Sequence, residues 1–326
     1  MTNEVHFQRV PEKPFAAQIS KFIHRSSLVI WLSGVVALAT VGCAAHRDRV
    51  SSQSAGRTRP LFGTRATYCS LPRTSNGRMD ARKLLDELVS VHANTYSFCI
   101  HSAETDWEDL KLFLPLAREK GIGVWASIVP PSESPPRTKL YAEPFRLDYE
   151  RWAVEFAKLG LEHSNLVAWS IDDFTHNLKT YTPQYVSNML AAARAINPRV
   201  AFVPCCYYPS INPRFVTNYC SLLDGILFPY RHESAGANLK DPGLVESELS
   251  AIKHQVGNDF PVILDIYASA HSRLGDTTPG YVEQAMVAGH RAADGVMIYR
   301  HQDPVKNREK FEIIQRLFGQ WSQTAR

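Results

Sequence analysis

From Leu61 onward, short apolar or β-branched runs alternate with helical patterns along the whole chain. The runs fall at 66–70, 95–100, 124–129, 166–171, 200–205, 225–229, 262–266 and 295–299. Helical patterns separate them at 80–92, 106–120, 149–161, 183–196, 213–222, 243–256, 279–293 and 307–318. Start signals support several of the helices: in Thr182-Pro183 and Asn212-Pro213 a capping residue precedes proline at the first turn. Lys120-Gly121 and Asn197-Pro198 are ordinary stops. Strand–helix units repeated in this way over 61–326 predict an α/β fold, a single (β/α)8 (TIM) barrel. A doubly wound sheet is the alternative, since alternation alone does not prove closure. The longest excursion, 130–145, follows the third strand and is rich in proline, a candidate cleft wall.

The fourth run departs from the others in how it ends. Val167-Ala168-Trp169-Ser170-Ile171 leads into Asp172-Asp173-Phe174. Aspartate is poor inside strands, so the run delivers two carboxylates to its carboxyl end, where barrels of this type carry their chemistry. Other predicted strand ends bring Tyr207, Tyr208, Tyr230 and Arg231, then Asp265, Tyr267, Arg300 and His301. Aromatic rings with a few carboxylates suit sugars, stacking on ring faces and accepting from hydroxyls. Two strands echo each other: Asp224-Gly225 and Asp294-Gly295 open them, and Tyr-Arg-His closes both, at 230–232 and 299–301. The opening aspartates belong to the bottom of the barrel and read as stability.

The first sixty residues follow another pattern. Lys21 and Arg25 precede an uncharged apolar segment, 28–42, which ends in Thr40-Val41-Gly42-Cys43. That is the length of a signal-peptide core and short for a membrane span. Its end resembles a bacterial lipobox, with Cys43 as the lipidated residue and Thr40 where leucine is usual. Residues 1–43 are thus expected to be a signal peptide, or else an uncleaved anchor helix, and 44–60 a flexible polar linker before the barrel at 61–326. The protein is expected to be exported and tethered to a membrane as a bacterial lipoprotein.

Net charge is only +4 over 326 residues, with no basic stripe interleaved with aromatics, so nucleic acid is not an expected partner. Neither a phosphate loop nor a His/Glu helix pair at metal-ligand spacing occurs, and no cofactor or metal is implied. Setting Cys43 aside leaves Cys69, Cys99, Cys205, Cys206 and Cys220, an odd number, which reads as buried thiols.

Asn94-Thr95-Tyr96 on the second strand, Ser127-Ile128-Val129-Pro130 on the third and Ile171-Asp172-Asp173-Phe174 on the fourth resemble the barrel of the O-GlcNAcase-type β-N-acetylglucosaminidases. Val203-Pro204 with Tyr207, and Asp265 on the seventh strand, extend the similarity. The resemblance implies a retaining, substrate-assisted glycoside hydrolase in which the sugar's acetamido oxygen attacks the anomeric carbon. It implies that Asp172 polarises that amide with help from Tyr207, that Asp173 is the general acid, and that Tyr96 belongs to the sugar site. The chain departs from the family at Cys99-Ile100-His101-Ser102, at Phe228-Pro229-Tyr230, at Ile266 and at His271, all in the sugar pocket. Adjacent α-carbons lie only about 3.8 Å apart, awkward for flanking one bond and better suited to substrate assistance. Two close carboxyls do not ionise together easily, so one of the pair is expected to keep its proton near neutrality. A catalytically silent barrel that binds glycan is the alternative function, and a structural lipoprotein a third.

Overall fold

The computed structural model describes residues 54–323. The expected signal segment with Cys43, and the spacer up to residue 53, lie outside the described residues. Eight parallel strands form one sheet: β1 (Thr64–Tyr68), β2 (Thr95–Ile100), β3 (Gly123–Ile128), β4 (Leu166–Ile171), β5 (Ala201–Phe202), β6 (Ile226–Pro229), β7 (Val262–Tyr267) and β8 (Gly295–Tyr299). The sheet order runs β5-β4-β3-β2-β1-β8-β7-β6. A parallel bridge between Cys205 and Leu227 closes the ring, with Leu227 donating to Pro204 at 3.0 Å and Cys206 donating to Leu227 at 2.8 Å. Closure excludes the doubly wound sheet and makes this a (β/α)8 barrel.

The outer layer comprises α1 (Ala81–Ser90), α2 (Asp106–Glu119), α3 (Tyr149–Glu162), α4 (Pro183–Ile196), α5 (Pro213–Tyr219), α6 (Val245–Val256), α7 (Pro279–Ala292) and α8 (Arg308–Gln323). Side chains of Asp80, Asp148, Thr182, Asn212 and Thr278 each accept from a backbone N–H in the first turn of the helix they precede. These caps satisfy donors that have no intrahelical partner. Between the layers, Trp107, Phe145, Trp152 and Phe156 pack edge-on or stacked with ring centroids 4.8–6.0 Å apart. The Asp-Gly strand openings have a steric reason: a Cβ on Gly225 would lie 2.9 Å from the Pro261 carbonyl oxygen, and one on Gly295 2.7 Å from Thr64 Cβ.

Three boundaries differ from expectation. The first strand begins at Thr64, and Cys69 and Ser70 leave it at positive φ (41° and 54°). The fifth strand shrinks to Ala201–Phe202, because Pro204 has no N–H for the ladder. The polar linker does not extend to residue 60, for 54–58 are helical and Pro60 lies in the 3-10 turn Arg59–Leu61. Arg57 is buried there, donating to Asp224 at 2.8 Å and to the Pro198 carbonyl at 3.1 Å. A buried carboxylate demands a cation, and the supposed spacer supplies it.

Candidate active site

Side-chain parity decides what each strand delivers to the mouth of the barrel. On β1, Tyr68 points inward and its hydroxyl reaches both Ser127 Oγ (3.1 Å) and Asp172 Oδ2 (3.0 Å). Asp172 extends the β4 ladder by one bond, its N–H donating to the Ile128 carbonyl at 2.9 Å. In a continued strand Asp173 would then face the opposite way. Instead it adopts the left-handed conformation (φ 44°, ψ 31°), uncommon for a residue with a side chain. That turn brings both carboxylates, with the Cys205 thiol, to within 4.8 Å of one another. Non-glycine residues held this way concentrate at functional sites.

The cleft above them has a volume of about 220 Å³. Tyr207, Asp265, Tyr267 and Arg300 line it, as the sequence predicted, together with Arg231 and His271. The expected Tyr96 and Tyr230 do not reach it, nor do the strand-end candidates Tyr208 and His301. Tyr96 faces the helix layer, its ring 5.8 Å from that of Phe113, and its hydroxyl donates to the Cys69 carbonyl. Tyr230 likewise faces outward, stacking on Tyr281 and bonding the Asp241 carbonyl and the Leu244 N–H. Parity explains both: Phe98 shares the outward side with Tyr96, and beyond β6 it is Arg231 that turns inward. His301 is buried under the rim, between Thr67 (3.0 Å) and Glu87 (2.9 Å).

Tyr68, Glu133, Arg137 and Arg273 also line the cleft and were not anticipated. Glu133 sits in the 3-10 turn Pro131–Glu133 of the proline-rich excursion. Its only signal in the sequence was the length of that excursion. Tyr68 could have been found from its place at the carboxyl end of β1.

The acids divide by proton affinity. Burial first, and then the charges of Asp172 and Asp173, push Glu133 up to about 8. Burial and the Asp173 charge push Asp172 up to about 6, against the opposing bonds from Tyr68, the Asp173 N–H and Cys205. Asp265 is buried, its Oδ1 finds no hydrogen-bond partner among the described residues, and burial holds its carboxyl well above the usual range. Asp173 goes the other way. Burial would raise it, but bonds from His176 and Tyr207 and the charges of His176 and Arg231 outweigh that and lower it. Tyr207 is itself held between Arg231, 3.9 Å above its ring, and His176, stacked on it at 4.2 Å.

This corrects two expected roles. Tyr207 bonds Asp173 rather than Asp172. The member of the pair that keeps a proton more readily is Asp172, because it lies deeper and has no cation beside it. A metal could draw ligands from Asp172, Asp173 and Cys205. Burial and neighbouring carboxylates, however, push the Cys205 thiol well up, so it serves as a donor to Asp172 rather than as a thiolate.

No family model matches the chain, and no curated protein matches it in sequence. Solved structures do match in fold. A β-D-glucuronidase from Dictyoglomus thermophilum superposes with a TM-score of 0.54 at 15% identity, covering 81% of this chain and 51% of the other. A GH2 β-galacturonidase from Eisenbergiella tayi, bound to galacturonate, gives 0.52 at 12% identity over 79% of this chain and 51% of the other. The PgaB (BpsB) glycoside hydrolase domain from Bordetella bronchiseptica gives 0.51 at 12% identity over 78% of this chain and 98% of the other. This chain therefore spans about half the length of the first two. At such identities the likeness is one of fold: the barrel is built like those of glycoside hydrolases.

Proposed function

We propose that the chain is a glycoside hydrolase, exported and tethered to the membrane through Cys43, that cleaves carbohydrate in the cleft at the carboxyl end of the barrel. The reading rests on one observation: a single cleft holds an ionised carboxylate, Asp173, beside carboxyls that keep protons near neutrality, Glu133 foremost. Glycosidic cleavage needs that division, an acid for the leaving oxygen and an anion for the charge developing on the sugar.

Asp172 and Asp173 are too close together to flank one bond, so the acid is assigned to Glu133 on the cleft wall. An N-acetylated sugar is cleaved in two steps. Asp173 accepts a hydrogen bond from the acetamido N–H, and the acetamido oxygen forms a bond to the anomeric carbon. The bond to the leaving oxygen breaks as Glu133 hands that oxygen its proton. Water then attacks the anomeric carbon, Glu133 takes back a proton from it, and the acetamido group is released. Asp172, fixed by Tyr68, keeps Asp173 in place and tunes its charge.

The test is release of aglycone from a panel of aryl glycosides, N-acetylglucosaminide included. We expect turnover to fall as pH rises through about 8, where Glu133 loses its proton. Asp173→Asn should lower kcat by roughly 10²–10⁴-fold on every leaving group. Glu133→Gln should do so for a methylumbelliferyl glycoside but hardly for a dinitrophenyl one, which departs without acid help. Turnover confined to sugars without an acetamido group would discard substrate assistance and leave Asp173 as the direct nucleophile. No turnover on any substrate by a folded protein would discard the hydrolase in favour of a glycan-binding barrel.

A further inference from the structure

Four guanidinium groups reach the cleft, from Arg137, Arg231, Arg273 and Arg300. Arg231 is committed, paired with Glu233 and stacked on Tyr207. Arg137 donates to the Ser132 carbonyl at 3.1 Å and adjoins Glu133. Arg273 and Arg300, by contrast, pair with no carboxylate among the described residues, although both are exposed at the mouth. The Arg300 guanidinium lies against the Tyr299 ring, 5.6 Å from its centroid, and bonds to Tyr299, while the residue remains exposed.

Arg300 also lines a neighbouring cavity of about 590 Å³. There Arg73 is neutralised by Asp106, and Lys83 lies 3.7 Å from Glu87 and 3.9 Å from Asp303. Lys306 is exposed in the same cavity and, like Arg300, makes no salt bridge among the described residues, its charge acting on Asp303 only from a distance. The exposed charges without a salt bridge among the described residues, Arg273 and Arg300 at the mouth of the cleft and Lys306 in the second cavity, are thus all positive, in contrast to the carboxyls set deeper in the cleft. Neutral sugar hydroxyls have no need of guanidinium groups left without partners. A sugar carboxylate matches the planar fork with two parallel hydrogen bonds.

We propose that the substrate is an acidic glycan containing uronic acid, with a carboxylate on the sugar at or next to the bond cleaved seated on Arg300, and with Arg273 as a second contact. The inference rests on the reading of the cleft as a carbohydrate site and names the class of carbohydrate. The Arg300 side chain lies at the junction of the two cavities. A chain carrying successive carboxylates would meet Lys306 next.

The test separates binding from turnover. Galacturonate and glucuronate trisaccharides, each beside its own methyl ester, are titrated calorimetrically into full-length protein carrying Asp173→Asn, so that no ligand is consumed. The ester keeps the shape and removes the charge. At least one acid should bind roughly ten- to a hundred-fold more tightly than its ester, the range for a charge-assisted contact. Arg300→Gln should erase most of that preference and Arg273→Gln part of it. Arg118→Gln, the same loss of charge at the end of α2 and outside both cavities, should leave it intact. Equal binding of acid and ester, no binding of either, or a preference that survives both cleft substitutions would overturn the proposal. Turnover of neutral aryl glycosides with no acid preference would sink this inference and keep the hydrolase. Acid-selective, Arg300-dependent binding with no turnover anywhere would do the reverse.

Discussion

The two ends of the barrel treat buried carboxylates in opposite ways. At the amino end, Asp224 receives Arg57 on one oxygen, and Arg194 and the Phe202 N–H on the other. Asp294 is met there by Lys253 and the Val262 N–H. A larger cavity of about 460 Å³ opens at that end beside Phe62 and Trp321, yet the carboxylate in its lining is this same, already paired, Asp294. At the carboxyl end, Asp265 is buried and Asp172 and Glu133 are half-buried, all without an ion pair among the described residues, and their proton affinities rise as a result. Paired buried charge holds the fold, whereas unpaired buried carboxyl groups destabilise it and are retained where chemistry needs them. The echoed motifs make the contrast sharper. Their opening aspartates do the same job twice, while the closing arginines part ways, Arg231 locked to Glu233 and Arg300 exposed.

The largest expected effect comes from breaking the paired end. Asp224→Ala leaves Arg57 and Arg194 without their carboxylate and should cost about 3–5 kcal/mol, read as a lowered Tm. The protein that remains folded should keep its kcat, and a loss of kcat in that fraction would blur the division between the two ends.

An intermediate effect of opposite sign is expected at the unpaired end, from Asp265→Asn. Because the folded-state pKa of Asp265 is raised, its contribution to stability is fully present below the unfolded value and is lost as pH rises towards the folded one. Asparagine has no such loss. The Tm of the variant relative to the parent should therefore climb between about pH 5 and pH 8, by a few degrees. A difference in Tm that does not change with pH would mean that Asp265 is solvated or paired after all.

The smallest effect tests a residue that only borders the site. Tyr230→Phe removes the bonds to the Asp241 carbonyl and the Leu244 N–H, worth about 1 kcal/mol, and should leave KM unchanged. A raised KM would return Tyr230 to the sugar site and move the border between structure and chemistry.

Local patterns in the chain determined a good deal unaided. Period and punctuation located the strands and helices because each must bury one face whatever its neighbours do. The rise of β4 into Asp172-Asp173 placed two carboxylates at the carboxyl end of the barrel, and there they line the cleft. Asp265, Tyr267, Tyr207 and Arg300 followed from the same rule and do meet in one cleft. Tyr96 and Tyr230 did not, since a residue's face depends on where its strand begins and on the register it takes with its neighbours. Only the tertiary structure could bring Glu133 from a proline-rich loop over Asp172, or set Arg57 beneath Asp224, 167 positions away. Which carboxyl keeps its proton was likewise a tertiary decision. Asp172 and Asp173 are neighbours of one residue type, both with hydrogen-bond donors, and the cations that the fold places around Asp173, and not around Asp172, set them apart.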